Sequence, residues 1–349
     1  MQRIPGVDVA RGLAVLGMMT AHVAPGSAQD PWPRSLVQVA DGRPAAMFVL
    51  LSGVSVALMS GGARPVDGVR RVQVRTRLLV RAALVLAIGV ALVVLGTPVA
   101  VILPTYAVFF ALATAFLGWT PRRLLALAGA VALVGPLVLS ALTTRRQTDP
   151  WPGTAWTDLL VGPYYPAAVW TAYVLVGLAV GRLDLRSTRT RVTMLAVGAA
   201  CAVLGHGASW LLLRIVAPTD GRTHELLTSA PHSSSTFEVV ANTGVAVGVL
   251  ALCLAAADAA PRALGPLAAT GALALTAYSA HVVVIWLLGP EVVWAPTTGT
   301  WLGFLGVTVV LCTLWRSLWG RGPLEQLLHR VSTRAADVAP DELPPARVA

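Results

Sequence analysis

The chain has 349 residues, of which 56% are hydrophobic and only 12% charged, with a net charge of +10 and a mean hydropathy of +0.72. Soluble domains carry about 25% charged residues, so a chain this poor in charge cannot cover a water-facing surface; a single soluble core is excluded in favour of an all-α, polytopic membrane helix bundle. Every Lys/Arg-type residue is an arginine, and these cluster at the ends of apolar runs rather than on a basic face with interleaved aromatics, which speaks for membrane topology and against a nucleic-acid partner.

In chain order, apolar runs long enough to cross a bilayer fall at about 9–24, 44–60, 78–96, 98–117, 123–142, 166–182, 192–216, 237–257, 263–289 and 300–319. A span needs roughly 17–25 residues, so about ten transmembrane helices are expected. The first run follows Arg3 and precedes APGSA, but Asp8 and Arg11 lie too close to it for a signal peptide. With the N-terminus cytoplasmic, nineteen arginines fall in cytoplasmic segments and five in outer ones, as the positive-inside rule requires. Both termini of this multi-pass cell-membrane protein are therefore expected in the cytoplasm. Residues 1–320 form the expected membrane domain, and 321–349 a cytoplasmic tail whose end, rich in Pro, Asp, Glu and Ala, lacks periodicity. Cys201, Cys253 and Cys312 lie inside apolar runs without CxxC spacing, which suits small buried hydrophobes rather than disulfides or a metal site.

The first run, DVARGLAVLGMMTAH at 8–22, carries charge where a plain span would not. Arg11 and His22 are eleven residues apart, so they share one helical face at a rise of roughly 16 Å, with Asp8 one turn before Arg11. Ionisable groups within spans usually face a bundle interior or a watery path. The pantetheine arm of coenzyme A is of that same length order. A guanidinium at one end suits nucleotide phosphates; an imidazole at the other suits a general base or nucleophile beside a thioester. The plainer alternative is an interfacial Asp8–Arg11 ion pair and a snorkelling His22.

Farther along, PHSSSTFE holds His232 and Glu238, read either as acceptor-binding groups or as a helix cap. TAYSAHVVV holds Tyr278 and His281, read either as pocket lining or as an interhelical polar cluster. Trp32, Trp151, Trp156, Trp294 and Trp301 fall where an outer aromatic belt belongs.

The D-x-x-R-G-L-A stretch with ten residues between Arg11 and His22 resembles the Arg-x10-His motif of bacterial membrane O-acetyltransferases. VADGRPAAMFVLLSGVSVAL at 39–58, with Ala40, Asp41, Phe48, Val49 and Gly53, resembles the second-helix region of heparan-α-glucosaminide N-acetyltransferase and its bacterial relatives. LPTYAVFFALA, APHSSSTFEVVANTG, LALTAYSAHVV and GPLEQLL are similar to motifs of a related bacterial family of unknown function.

The resemblance implies a bacterial inner-membrane acyltransferase of about ten helices, moving an acetyl or other acyl group from cytoplasmic acyl-CoA to an outer sugar, glycolipid or small-molecule acceptor. It implies His22 and Asp41 as catalytic residues and Arg11, Arg43 and Ser52 as acyl-CoA contacts. His232, Glu238, His281 and Tyr278 are then expected to meet the acceptor. The lipid bilayer, acyl-CoA, the acceptor and a second copy of the chain are the expected partners. One departure stands out: the heparan enzyme's catalytic histidine lies about ten residues before the acid, where this chain has Pro31. The rival readings are a transporter, which inverted repeats would favour, and a small-molecule or lipid-binding membrane protein without catalysis.

Overall fold

The computed structural model describes residues 3–26, 34–148 and 155–337. Among them the order is α1 (Pro5–Val23), a 3-10 turn (Arg34–Ala40), α2 (Arg43–Met59), α3 (Gly68–Val94) and α4 (Leu103–Ala113, continued by a 3-10 turn, Thr114–Phe116). Then come α5 (Pro121–Thr148), α6 (Ala155–Val161), α7 (Ala167–Val180), α8 (Thr188–Val216) and α9 (Gly221–Leu227). The last are α10 (Thr236–Ala259), α11 (Gly265–Ala272), α12 (Ala274–Leu288), α13 (Glu291–Trp294), α14 (Thr298–Leu318) and α15 (Pro323–Ala335). The described residues contain no strand. The starts have local causes. Proline opens the first turn of α1, α2, α4, α11 and α15, where its missing N–H costs nothing. Ser187, Asp220, Ser235 and Thr297 cap α8, α9, α10 and α14 with side-chain oxygens.

Each of the ten apolar runs falls on a helix or, at 263–289, on the α11–α12 pair, which bends by 79°. Six segments are long and apolar enough to cross a membrane, and the bent pair would be a seventh. α4 with its 3-10 turn and α7 are shorter apolar helices, and α1 spends two of its 19 residues on Asp8 and Arg11. The chain is a multi-pass membrane protein. Its layering follows from burial: 67% of the span ending in α2 and 56% of α10 are buried inside the bundle, against 17% of α8 and 6% of α14. The outer helices therefore turn Val203, Leu204, Leu311 and Leu318 toward lipid, which needs no protein cover.

The interior is tight because small residues let backbones meet. A Cβ on Gly53 of α2 would stand 2.1 Å from the Val174 carbonyl oxygen of α7, and one on Gly177 would stand 1.9 Å from that of Leu50. This is small-residue packing in place of a hydrophobic driving force. The arginine-rich segment before the third apolar run is helical as well: α3 starts at Gly68, so Arg70, Arg71, Arg75 and Arg77 lie on its first turns. α15 packs against α3 and α12 and puts residues 323–335 of the expected tail into a helix. Residues 338–349, the end of that tail, lie outside the described residues, as do Trp32 and Trp151 of the expected belt.

Candidate functional site

The sequence-predicted residues fall into three groups strung along α1. The first surrounds Arg11. Asp8, only 5% exposed, accepts from Arg11 Nη1 at 2.9 Å and from Arg3 Nε at 2.5 Å, so the ion pair foreseen in the sequence is a three-residue cluster. Arg11 Nη2 also donates to Ser55 Oγ on α2. Arg11 does more than pair, because it lines a cavity of about 530 Å³ between α1, α2, α3, α4, α11, α12 and α15. Arg3, Arg81, Arg321 and His329 line the same space. Among the described residues Arg81 reaches only Ser332 Oγ at 3.3 Å and Met59 Sδ at 3.2 Å, and neither it nor Arg321 meets a carboxylate. On α15, outside the spans, burial and the neighbouring guanidiniums of Arg321, Arg81 and Arg77 hold His329 below the ordinary imidazole range. Phe48, Val85, Leu103 and Phe110 supply an apolar wall. Ser52 lines it too, its hydroxyl donating to the Val49 carbonyl at 2.6 Å. Arg43 does not join them. It stands at the other end of α2, donating to the carbonyls of Gln38 and Val39 at 3.2 and 3.4 Å.

The second group sits near the far end of α1. His22 Nδ1 lies 3.0 Å from His281 Nε2, with the rings 5.3 Å apart and 10° from parallel. His281 is 3% exposed. Tyr278 meets it edge to face at 4.9 Å and accepts from the Ile102 N–H at 3.2 Å. None of these three lines the 530 Å³ cavity, although Tyr106, Leu103 and Phe48 do. The Tyr106 hydroxyl is buried without a hydrogen-bond partner among the described residues.

The third group is built on the turn before α10. Asp41, expected with His22 as a catalytic residue, faces His232, with Oδ1 3.6 Å from Nε2. The rings of Tyr164, Tyr165 and Trp170 surround His232 at 5.8, 5.7 and 6.4 Å. Glu238, expected to meet an acceptor, is 1% exposed. Its carboxylate accepts from the backbone N–H of His232 (2.8 Å) and Ser234 (2.6 Å), Ser233 Oγ (3.2 Å) and Asn242 Nδ2 (3.3 Å). It holds a turn in which His232 and Ser234 take φ of 61° and 52°, a backbone region costly for residues with a Cβ. Ser235 is the helix cap of the plainer reading. A second cavity of about 370 Å³ borders His232, Ser233, Glu225 and Ser140.

A family model described as heparan-alpha-glucosaminide N-acetyltransferase, catalytic, matches residues 3–213. That is more than half of the chain, and it takes in Arg11, His22, Asp41 and the α1, α2 and α3 walls of the larger cavity. The chain belongs to the heparan-alpha-glucosaminide N-acetyltransferase catalytic family. A second model, described as a protein of unknown function (DUF418), matches residues 185–335, covering His232, His281 and α15. No curated protein matches the chain.

Membership in this acetyltransferase family fits the cationic, apolar-walled cavity, and it sharpens one departure from the family pattern. Pro31, at the place of the family's loop histidine, lies outside the described residues; in space, the histidine beside Asp41 is His232, from the region of the second match. Sequence reasoning missed Arg81, Arg321, His329, Ser55 and Tyr106 as members of the site. Arg81 and Arg321 read as ordinary loop-end charges, and only the packing of α3 against α4 and of α15 against α3 and α12 brings them to the cavity that Arg11 lines.

Proposed function

We propose that this family member transfers an acyl group, acetyl in the first instance, from acyl-CoA to a hydroxyl or amine of a sugar, glycolipid or small-molecule acceptor across the membrane. The observation that carries the reading is the cavity at Arg11: four guanidiniums against the carboxylates of Asp8 and Glu325 at one end, with Arg81 and Arg321 meeting no carboxylate among the described residues, and an apolar wall beyond them. Such a mouth suits the phosphates of a nucleotide, and such a wall suits an acyl-pantetheine arm. Arg3, Arg11, Arg81 and Arg321 share one end of the bundle, which we assign to the cytoplasm by the arginine bias; His22, Asp41 and His232 share the other. His22 serves as the base, taking the acceptor's proton as its oxygen or nitrogen attacks the thioester carbonyl. The Asp41–His232 contact favours a second reading, in which His232 is the base and Asp41 its partner.

One experiment tests both. Purified protein is assayed for acetyl-CoA binding by calorimetry and for transfer to a panel of amino sugars and glycolipids. Arg11→Ala and Arg81→Ala should each weaken binding by about 1.5–3 kcal/mol, the range for hydrogen bonds to charged groups. His22→Ala should leave binding intact and lower transfer about 10²–10⁴-fold. A severe loss in His232→Ala beside a mild one in His22→Ala would move the chemistry to the second reading. Wild-type protein that binds no acyl-CoA would end both.

A further inference from the structure

We infer that His281 is a positioning residue for His22: it fixes the tautomer that leaves His22 Nε2 as a free base, the task usually given to a carboxylate. The inference rests on the proposed transfer reaction for its purpose, but its geometry stands alone.

A neutral imidazole carries one N–H and one lone pair, and a neighbour decides which nitrogen holds which. His281 is buried on α12, and no carboxylate pairs with it among the described residues. The acceptors near its ring are the carbonyls of Ala277 and Tyr278 in its own preceding turn. A lone pair on Nδ1 would stand against those oxygens, so Nδ1 bears the hydrogen, although it makes no hydrogen bond among the described residues. Nε2 then carries the lone pair. That nitrogen is 3.0 Å from His22 Nδ1, so His22 must donate there. A neutral His22 that donates from Nδ1 has its own lone pair on Nε2, which makes no hydrogen bond among the described residues. The arrangement is a pair of imidazoles, one holding the other so that it ends in a free base.

The supports are specific. Tyr278 packs its edge on His281 and is itself held by the Ile102 N–H, so the ring cannot swing away. Asp41, the obvious carboxylate for such a role, is turned to His232. In the reaction, His22 Nε2 takes the proton of the acceptor O–H or N–H while the new bond to the carbonyl carbon forms. The C–S bond then breaks and the same proton passes to the departing sulfur. Donor and acceptor supply every atom, and no oxidant or reductant enters. His281 stays neutral throughout and donates nothing to the substrate.

The test reads the tautomer directly. In protein labelled with ¹⁵N at histidine, His22 assigned by comparison with His22→Gln should show a protonated Nδ1 and an unprotonated Nε2 near neutral pH. His281→Leu should erase that preference, leave acetyl-CoA binding unchanged and lower kcat at least tenfold with little change in KM. His281→Gln, whose amide oxygen can accept from His22 Nδ1, should restore both the tautomer and most of the rate. An Nε2-protonated His22 in the wild type would overturn the inference even if transfer occurs. So would a His281→Leu protein with the wild-type tautomer. Failure of the wild type to bind acetyl-CoA strikes the transfer reading and leaves the tautomer result to stand or fall separately.

Discussion

Two arginines with the same chemistry have opposite fates in this bundle. Arg182, 4% exposed, gives Nη1 to the carbonyls of Ala57, Ser60 and Gly62 and Nη2 to Ser60 Oγ and the Leu117 carbonyl. It closes the end of α2, and among the described residues only its buried Nε–H is left without a partner. Arg81 touches one hydroxyl and one thioether, which leaves most of a guanidinium's five donors for something else. His232 shows the same economy in a titrating group. Burial works against its charged form, but the contact with Asp41 and the charge of Glu238 outweigh burial and raise its pKa above the ordinary 6.5. A raised folded value means that the stabilisation is complete below the ordinary value and fades as pH rises through the raised one. Relative to His232→Gln, the wild type should therefore lose melting temperature on going from pH 6 to pH 8; a difference between the two proteins that does not change with pH would show that the Asp41 contact contributes nothing to stability.

At the scale of elements, the break between α11 and α12 has an identifiable cause. The N–H groups of Leu275 and Thr276 open α12 without partners in their own helix. Glu325 of α15 accepts both, at 2.8 and 3.0 Å, and takes the Thr276 hydroxyl at 2.6 Å. A carboxylate at a helix N-terminus also meets the favourable end of the helix dipole. A Cβ on Gly322 would stand 2.2 Å from Glu325 Oε2, so the turn before α15 is fitted to this cap. Glu325→Ala should lower stability by about 0.5–2 kcal/mol, the range for losing an N-cap, read as a drop in melting temperature. Because α15 also floors the Arg11 cavity, acetyl-CoA affinity should fall with it. A stable variant with normal affinity would show that the cap is dispensable.

Over the whole molecule, the arginine bias predicts which loops share a side. Single cysteines at residues 64–77 and 321–334, in a variant without native cysteines, should react with impermeant reagent only from the cytoplasm. One at 232 should react only from outside; labelling of 64–77 from outside would invert the topology. The ten apolar runs were legible because lipid accepts only long apolar helices, and the single helix that carries both Arg11 and His22 because the run between them is unbroken. The pairing of His22 with His281 was not, since 259 residues separate them and neither flanking pattern points to the other. The 79° bend was hidden as well: the break falls at Leu273, an apolar residue inside an unbroken apolar run, and its cause lies fifty residues away in Glu325.

Arg11 and His22 belong to one uninterrupted helix, so their spacing of roughly 16 Å cannot stretch or shrink. On the transfer reading α1 is a gauge. A donor is accepted only if its anionic handle and its reactive carbonyl are the right length apart. A clipped thioester that keeps the acyl group and loses the nucleotide can touch one mark or the other, not both. The handle's binding energy then no longer holds the carbonyl in place, and the loss falls on turnover as well as on affinity.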